Sequence, residues 1–191
     1  MEGYIILGIV IILIALLVFY IVYAYNKLVK ARNRVNTQWA QIDVQLTRRT
    51  DLIPNLLETV KGYASHEKEI YEKIAAARSA IGAASSPGQA MTANDRLSGL
   101  LPSLFAVAEG YPELKADSSF VGLQSGLKET EDKIAFARQF YNDTVLIYKD
   151  KTRQFPSSIV AKIFGFKDES YYAATDEKKD AVKISFSQGQ G

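Results

Sequence analysis

The chain has 191 residues and a formal net charge of +2, and its acidic and basic residues interleave along the sequence. The sequence contains no basic stripe with interleaved aromatic residues, which argues against nucleic acid as a partner. The absence of cysteine excludes disulfides, thiolate metal sites, a cysteine nucleophile and lipid attachment through sulfur.

The first predicted element is an uncharged apolar segment. No charged side chain lies between Glu2 and Lys27, and the run from Tyr4 to Tyr25 is almost entirely aliphatic and aromatic. As a helix this run rises about 33 Å, roughly the hydrocarbon thickness of a bilayer. Tyrosines at both of its ends suit the headgroup level. The sequence therefore predicts a transmembrane anchor over residues 1–26.

Basic residues follow this segment directly. Four lie between Lys27 and Arg34 with no acid among them, whereas Glu2 precedes the segment. The positive-inside rule then places the N-terminus outside and the domain that follows in the cytoplasm. A cleaved signal peptide ending at Val22-Tyr23-Ala24 is the alternative, but the apolar run is too long for one.

Residues 27–186 are predicted to form one helical domain with its own core. Apolar residues recur at steps of mostly three or four from Val35 to Ile81, which predicts a long amphipathic helix growing out of the anchor. Pro54 is expected to interrupt and kink this helix. Turn residues at Ser85-Ser86-Pro87-Gly88 are expected to end it.

A second helix is predicted from Thr92 to Glu109, bent or split at Pro102. A loop is expected from Tyr111 to Asp117, after which Ser118 or Ser119 is the predicted N-cap of a third helix. That third helix carries the clearest pattern, a heptad seam stopped by Phe155-Pro156. The seam residues are Phe120, Leu123, Leu127, Ile134, Tyr141, Val145 and Tyr148.

The C-terminal part is predicted to differ from the rest. A short amphipathic helix is expected from Ser157 to Phe166. Strand-like alternation follows at Val182, Ile184 and Phe186, and residues 187–191 are predicted to be a disordered tail. Together these elements predict an all-α fold, with the transmembrane helix continuing into an antiparallel bundle of three to four long helices plus a short C-terminal helix.

Four charged residues occupy or adjoin core-facing positions of the first and third long helices. Burying them is costly unless they pair. They are therefore predicted to be largely buried as a structural polar core with at least one acid–base pair that fixes helix register. A polar pocket or partner-docking cleft is the alternative. The four residues are Arg49, Glu67, Glu131 and Arg138.

Two interpretations remain for the apolar residues of the C-terminal stretch, which Lys162 and Lys167 accompany. They either pack back onto the bundle or lie at the membrane interface, where aromatic and basic side chains are favoured. The residues concerned are Phe155, Ile159, Ile163, Phe164 and Phe166.

The sequence contains few residues that could form a metal site, a phosphate-binding loop or a catalytic site. His66 is the only histidine, and Ile70 occupies the position one turn later where a zinc-protease helix needs a second one. There is no glycine-rich phosphate loop, and the serines have no second histidine or nucleophile elbow. We therefore expect no metal, no cofactor and no enzymatic activity.

Several stretches, in this order, closely resemble the LemA family from the membrane helix to Phe186. These stretches are Trp39 to Leu46, Arg48 to Leu56, Val60 to Glu67, Tyr111 to Ala116, Arg138 to Asn142, Phe155 to Ser158 and Ile163 to Phe166.

This resemblance implies a membrane-anchored helical bundle of a bacterial envelope, without established catalytic activity. Genes of the family often lie near those of membrane metalloproteases or TPM-domain proteins, and a relative serves magnetosome formation. The first hypothesis is thus a non-catalytic scaffold or adaptor in the inner membrane, with such envelope proteins as partners. The second is a self-assembling, homo-oligomeric membrane organiser with a lipid-contacting C-terminal helix. Some relatives are lipoproteins, so a periplasmic or extracellular domain is the alternative location.

Overall fold

The computed structural model describes residues 1–172, of which 86% are helical and none lies in a strand. The predicted all-α fold is therefore confirmed. The expected strand-like pattern at residues 182–186 and the tail at 187–191 lie outside the described residues. The helices are α1 (Glu2–Tyr63), α2 (Lys68–Gly82), α3 (Pro87–Glu109), α4 (Pro112–Ala116), α5 (Ser118–Arg153) and α6 (Ser157–Ile163).

Helix α1 joins the apolar segment to the bundle without a break. Its 62 residues include an 18-residue window of mean hydropathy 3.5, none of which is buried in the protein. By length and composition this part of α1 can cross a membrane. Pro54, which was predicted to interrupt and kink this helix, is exposed and lies inside α1, and the helix continues past it to Tyr63.

The first break in the helix falls at Ala64–Glu67, a turn that the sequence pattern did not indicate. Ala64 is buried there, and its carbonyl accepts a 2.5 Å hydrogen bond from the hydroxyl of Tyr71. Helix α2 then runs back along α1, since Arg78 near its end donates to the carbonyl of Thr50. Because the chain reverses, Tyr71 and Ile74 are buried against α1. A continuous helix would leave both side chains exposed to water.

Helices α3 and α4 differ from the prediction at their ends. Helix α3 begins at Pro87, earlier than Thr92, because proline suits the first helical position and Ser86 accepts from the backbone N–H of Gln89. Pro102 lies within α3 and does not split it. A short helix, α4, replaces the loop expected there, with fully buried Leu114 fixing it to the core.

The principal packing is between α1 and α5, which run antiparallel. A Cβ added at Gly126 would lie 3.3 Å from Leu52 Cδ1, so the two helices approach closely at that level. The predicted seam is buried along α5 except at half-buried Leu123. The N-cap of α5 is Asp117 rather than Ser118 or Ser119, because its carboxylate accepts from the backbone N–H of Phe120 at 2.9 Å.

After α6 the chain returns along α5. The buried hydroxyl of Tyr148 donates to the carbonyl of Lys167 at 2.8 Å, and that of Tyr141 donates to the carbonyl of Ser170 at 3.0 Å. Residues 167–172 thus pack along α5, and Tyr172 reaches α3.

Candidate functional site

A buried arginine connects three helices. The Arg49 side chain on α1 is 1% exposed, and its Nη1 donates to Asn94 Oδ1 at 2.6 Å and to Ser98 Oγ at 2.9 Å on α3. The same nitrogen pairs with Glu131 Oε2 on α5 at 2.5 Å. The hydroxyl of Ser98 also donates to the Glu131 carboxylate at 3.1 Å. These polar contacts fix α1, α3 and α5 relative to one another.

The charges in this group are unequally exposed. Burial lowers the pKa of Arg49, because desolvation outweighs the opposing effect of Glu131. A guanidinium nevertheless stays protonated at ordinary pH. The Glu131 side chain is 41% exposed and remains open to solvent. Arg49 Nε is buried with no hydrogen-bond partner among the described residues. The site therefore holds one buried cation compensated by one half-exposed carboxylate.

The polar group extends to Tyr172. Asn94 Nδ2 donates to the Tyr172 hydroxyl at 3.0 Å, and this hydroxyl donates to Asp95 Oδ1 at 3.2 Å. The backbone N–H of Tyr172 donates to Asn142 Oδ1 at 2.8 Å, and the Asn142 amide donates back to its carbonyl. Burial and then the Asp95 carboxylate raise the pKa of Tyr172. Tyr172 thereby ties the C-terminal segment to α3 and α5.

The four residues predicted as a polar core do not all meet. The structure brings Arg49 and Glu131 together, whereas Arg138 is half-buried with its guanidinium 4.6 Å from the centroid of the Tyr172 ring. The prediction was wrong for Glu67, which is exposed at the turn before α2. Its core-facing phase assumed that α1 continued through this turn, but the reversal at Ala64 resets the helical phase.

Sequence reasoning did not include Asn94, Ser98 or Tyr172 in the site. One signal was available for Asn94, because it lies three residues before Leu97 on the apolar face of α3 and is itself 1% exposed. A polar residue at such a position needs a buried partner. No comparable periodic signal marks Tyr172, which lies beyond α6.

A groove of about 650 Å³ opens beside this polar group, between α3 and α5. Leu101, Phe105 and Val121 provide apolar wall, and Arg49, Ser98 and Glu131 provide a polar part. Lys128 also lines it and forms no ion pair within residues 1–172. The groove can therefore accept a partner segment in which an apolar side chain lies next to an acidic one.

A second surface lies where α6 meets α1. Val160 and Ala161 of α6 are buried against Ala24 and Leu28 of α1, and half-buried Phe166 packs on the same cluster. Phe164 also contacts the Tyr25 ring, with centroids 4.9 Å apart, yet remains half exposed. Packing therefore explains only part of the predicted C-terminal apolar set. The exposed members are Phe155, Ile159, Ile163 and Phe164, at 81%, 51%, 70% and 50%.

Metal-ligating side chains do not cluster in the part of the chain that the structure describes. No group of three or more histidine, cysteine, aspartate or glutamate residues is placed there to hold an ion. His66 is exposed in the turn between α1 and α2. The expectation of a protein without metal or cofactor stays a prediction.

Comparison with known proteins agrees with the helical architecture and with the sequence motifs. The profile of the LemA family matches residues 38–186, most of the chain. The chain belongs to the LemA family. A relative named protein LemA from Metamycoplasma hominis is 24% identical, over 88% of this chain and 78% of that protein.

Magnetosome proteins form the other group of relatives. Magnetosome protein MamQ 2 of Paramagnetospirillum magneticum is 25% identical over 78% of this chain. Magnetosome protein MamQ of Magnetospirillum gryphiswaldense is 24% identical over the same share. The match spans 64% of the length of these MamQ proteins. These names, with the apolar N-terminal helix, describe a membrane-associated helical protein and name no enzymatic activity.

Proposed function

We propose that this LemA-family chain is a membrane-anchored, non-catalytic scaffold of the bacterial envelope. The supporting observation is that α1 runs unbroken from the exposed apolar segment into the bundle core. A continuous helix transmits position far better than a flexible linker does. The bundle would therefore be held at a fixed distance and angle from the membrane surface, where it can present one face to other proteins.

The groove between α3 and α5 is the face that we assign to a partner. Its wall supplies apolar contact from Leu101, Phe105 and Val121. Because the Glu131 carboxylate is already paired with Arg49, Lys128 supplies the uncompensated charge. We infer that the occupant is an amphipathic helical segment of another envelope protein, with an apolar anchor and an adjacent acidic residue. Membrane metalloproteases and TPM-domain proteins are the partner classes that we propose to examine first.

Site-specific photo-crosslinking in native membranes tests this assignment. A photoreactive residue at Val121, which is 49% exposed in the groove, should form adducts with one envelope protein. The same residue at Val44, exposed on α1 outside the groove, is the matched control. Lys128→Glu should abolish the adduct at Val121, whereas Arg96→Glu, an exposed charge reversal outside the groove lining, should preserve it.

The crosslinked peptide must also contain an acidic residue beside an apolar one. Equal labelling from Val121 and Val44, or an adduct unaffected by Lys128→Glu, would contradict the scaffold face. We further propose an inner-membrane location with the bundle in the cytoplasm, supported by the basic residues from Lys27 to Arg34. A periplasmic or extracellular bundle is the alternative.

A second candidate function is self-assembly on the membrane. It is supported by two exposed features, the α6 surface at the end of the apolar segment and an apolar stripe on α5. Phe136, Phe140 and Ile147 recur at steps of four and seven on that stripe, and the two phenylalanine rings lie 4.8 Å apart. A second copy of the chain would cover this stripe, and α6 would contact lipid.

A further inference from the structure

A pocket of about 250 Å³ lies between α1 and the corner that joins α5 to α6. Tyr20, Tyr23 and Lys27 line it from α1, over the buried pair Ala24 and Leu28. The opposite side comes from the corner: Lys151, Gln154 and Ser157. The pocket therefore exists only because the C-terminal corner folds back against the helix that carries the apolar segment.

The position of the pocket along α1 determines what can enter it. Lys27 is the first charged residue after the apolar run, and Tyr20 and Tyr23 lie one to two turns before it. Aromatic rings followed by lysine mark the boundary between hydrocarbon and headgroups. If this segment spans the bilayer, the pocket lies at headgroup level.

The polar chemistry of the pocket favours an anion. Two ammonium groups, of Lys27 and Lys151, line it, and no acidic side chain is among the residues that do. Neither lysine forms an ion pair within residues 1–172, and the described contact of Lys27 is with the Tyr23 ring, 5.1 Å away. Lysine is a compact donor suited to phosphate oxygens, and tyrosine and glutamine add neutral donors.

Exposed apolar side chains lie close in sequence to the residues that line the pocket from the corner. Phe155 follows Gln154 directly and is 81% exposed, and Ile159 and Ile163 of α6 are exposed nearby. A free phosphate has no apolar part that could contact these side chains, whereas the acyl chains of a lipid would cover them. Their burial in lipid would gain about 25 cal/mol for each Å² removed from water. Two independent observations, the basic pocket and the exposed apolar side chains of the corner, thus point to one ligand.

We infer that this pocket binds the phosphate-bearing headgroup of an anionic phospholipid, with Lys27 and Lys151 on the phosphate and the α6 surface against its acyl chains. The inference rests on the proposed membrane anchoring. It makes the C-terminal corner a lipid-selective contact, and it gives the membrane-organising function a specific ligand class.

Spin-labelled lipids test the inference on the full chain reconstituted in phosphatidylcholine vesicles. The protein-associated fraction of labelled phosphatidylglycerol should exceed that of labelled phosphatidylcholine. Lys27→Gln/Lys151→Gln should reduce this preference, by about fivefold for each lysine if each contributes as a juxtamembrane lysine typically does. The matched control is Lys30→Gln/Lys162→Gln, which removes the same charge from exposed positions outside the pocket.

A clearly smaller loss in the control pair than in the pocket pair supports the pocket. Equal losses in the two pairs, or no preference in the wild type, would overturn it in favour of general surface attraction. Failure of anchoring is distinguishable, because the chain would then not remain with the vesicles at all.

Inorganic phosphate separates the two sources of this chemistry. Titrated into the detergent-solubilised chain and followed by phosphorus NMR, it should show no saturable binding that depends on Lys27 and Lys151. Saturable binding lost in Lys27→Gln/Lys151→Gln, without lipid preference in vesicles, would identify free phosphate as the ligand and overturn the lipid assignment.

Discussion

Glu131→Gln should destabilise the protein more than removal of its partner does. The substitution keeps the shape of the side chain and leaves the Arg49 guanidinium, 1% exposed, without its nearest carboxylate. Breaking a fully buried ion pair costs about 3–5 kcal/mol, and because this pair is buried only on the arginine side, we expect a loss near the lower end of that range, about 3 kcal/mol. The reverse change, Arg49→Met, leaves the carboxylate of Glu131, which is 41% exposed and can be hydrated. We expect that variant to lose only about 1–3 kcal/mol.

The double variant provides the sharper test. Arg49→Met/Glu131→Gln leaves no charge at this site, and a neutral replacement of a buried pair is often tolerated. It should therefore be more stable than Glu131→Gln alone, even though it carries one substitution more. Glu129→Gln is the matched control on α5, because Glu129 pairs with Arg48 at an exposed site and its loss should change stability little.

Urea unfolding of the full chain in detergent measures these differences. Fluorescence of Trp39, the only tryptophan, reports the packing of α1 on α5, because its ring lies 6.1 Å from that of Tyr141. The reasoning is refuted if Arg49→Met is the more destabilising single change, or if the double variant is less stable than both single variants.

Three further predictions concern pH, helix α1 and topology. Burial raises the pKa of Tyr141 from 10.0 to about 12, so between these pH values the native state keeps a proton that the unfolded chain loses. The free energy of unfolding should therefore fall as the pH rises through this range. Urea midpoints should show a smaller fall in Tyr141→Phe than in the wild type. Pro54→Ala should raise the free energy of unfolding by up to about 3 kcal/mol, since alanine restores a helical N–H at this exposed position; a lower midpoint would show that α1 requires the proline. A single cysteine replacing exposed Glu72 should resist an impermeant thiol reagent in intact cells and react after lysis; ready labelling in intact cells would place the bundle outside.

Periodicity was sufficient to predict helix α5 and its heptad seam. Leu127, Ile134 and Tyr148 are each at most 1% exposed because steps of three and four place them on one face of α5. The same reasoning failed at Ala64, since the run of apolar residues continues past the turn and only tertiary packing of Tyr71 shows where the chain reverses.

The polar site could be predicted only in part for a related reason. Arg49 and Glu131 were identifiable because a charge on an apolar seam requires compensation. Their other partners, Asn94 and Ser98, come from α3, and Tyr172 comes from a segment without secondary structure. Contacts between residues so far apart in sequence leave no periodic pattern, and they follow from how the helices are assembled.

The C-terminal corner, where α6 packs on α1, illustrates the same point. The sequence left two interpretations for residues 155–166, packing or membrane contact. In the structure Val160 and Ala161 are buried on α1 while Phe155 and Ile163 are exposed, so packing accounts for part of this stretch and membrane contact stays a prediction. The pocket lined by Lys27 and Lys151 arises only from this packing.

The central proposal is that α1 anchors the bundle in the membrane as one uncleaved helix. The most direct measurement is the intact mass of the chain that remains in membranes after an alkaline carbonate wash. We expect the retained chain to include residues 1–26, and we expect Leu13→Lys/Leu16→Lys to be released, because each lysine near the centre of the span opposes insertion by about 3 kcal/mol. Release of the wild-type chain by the wash, or a mass that begins near Tyr25, would contradict the proposal.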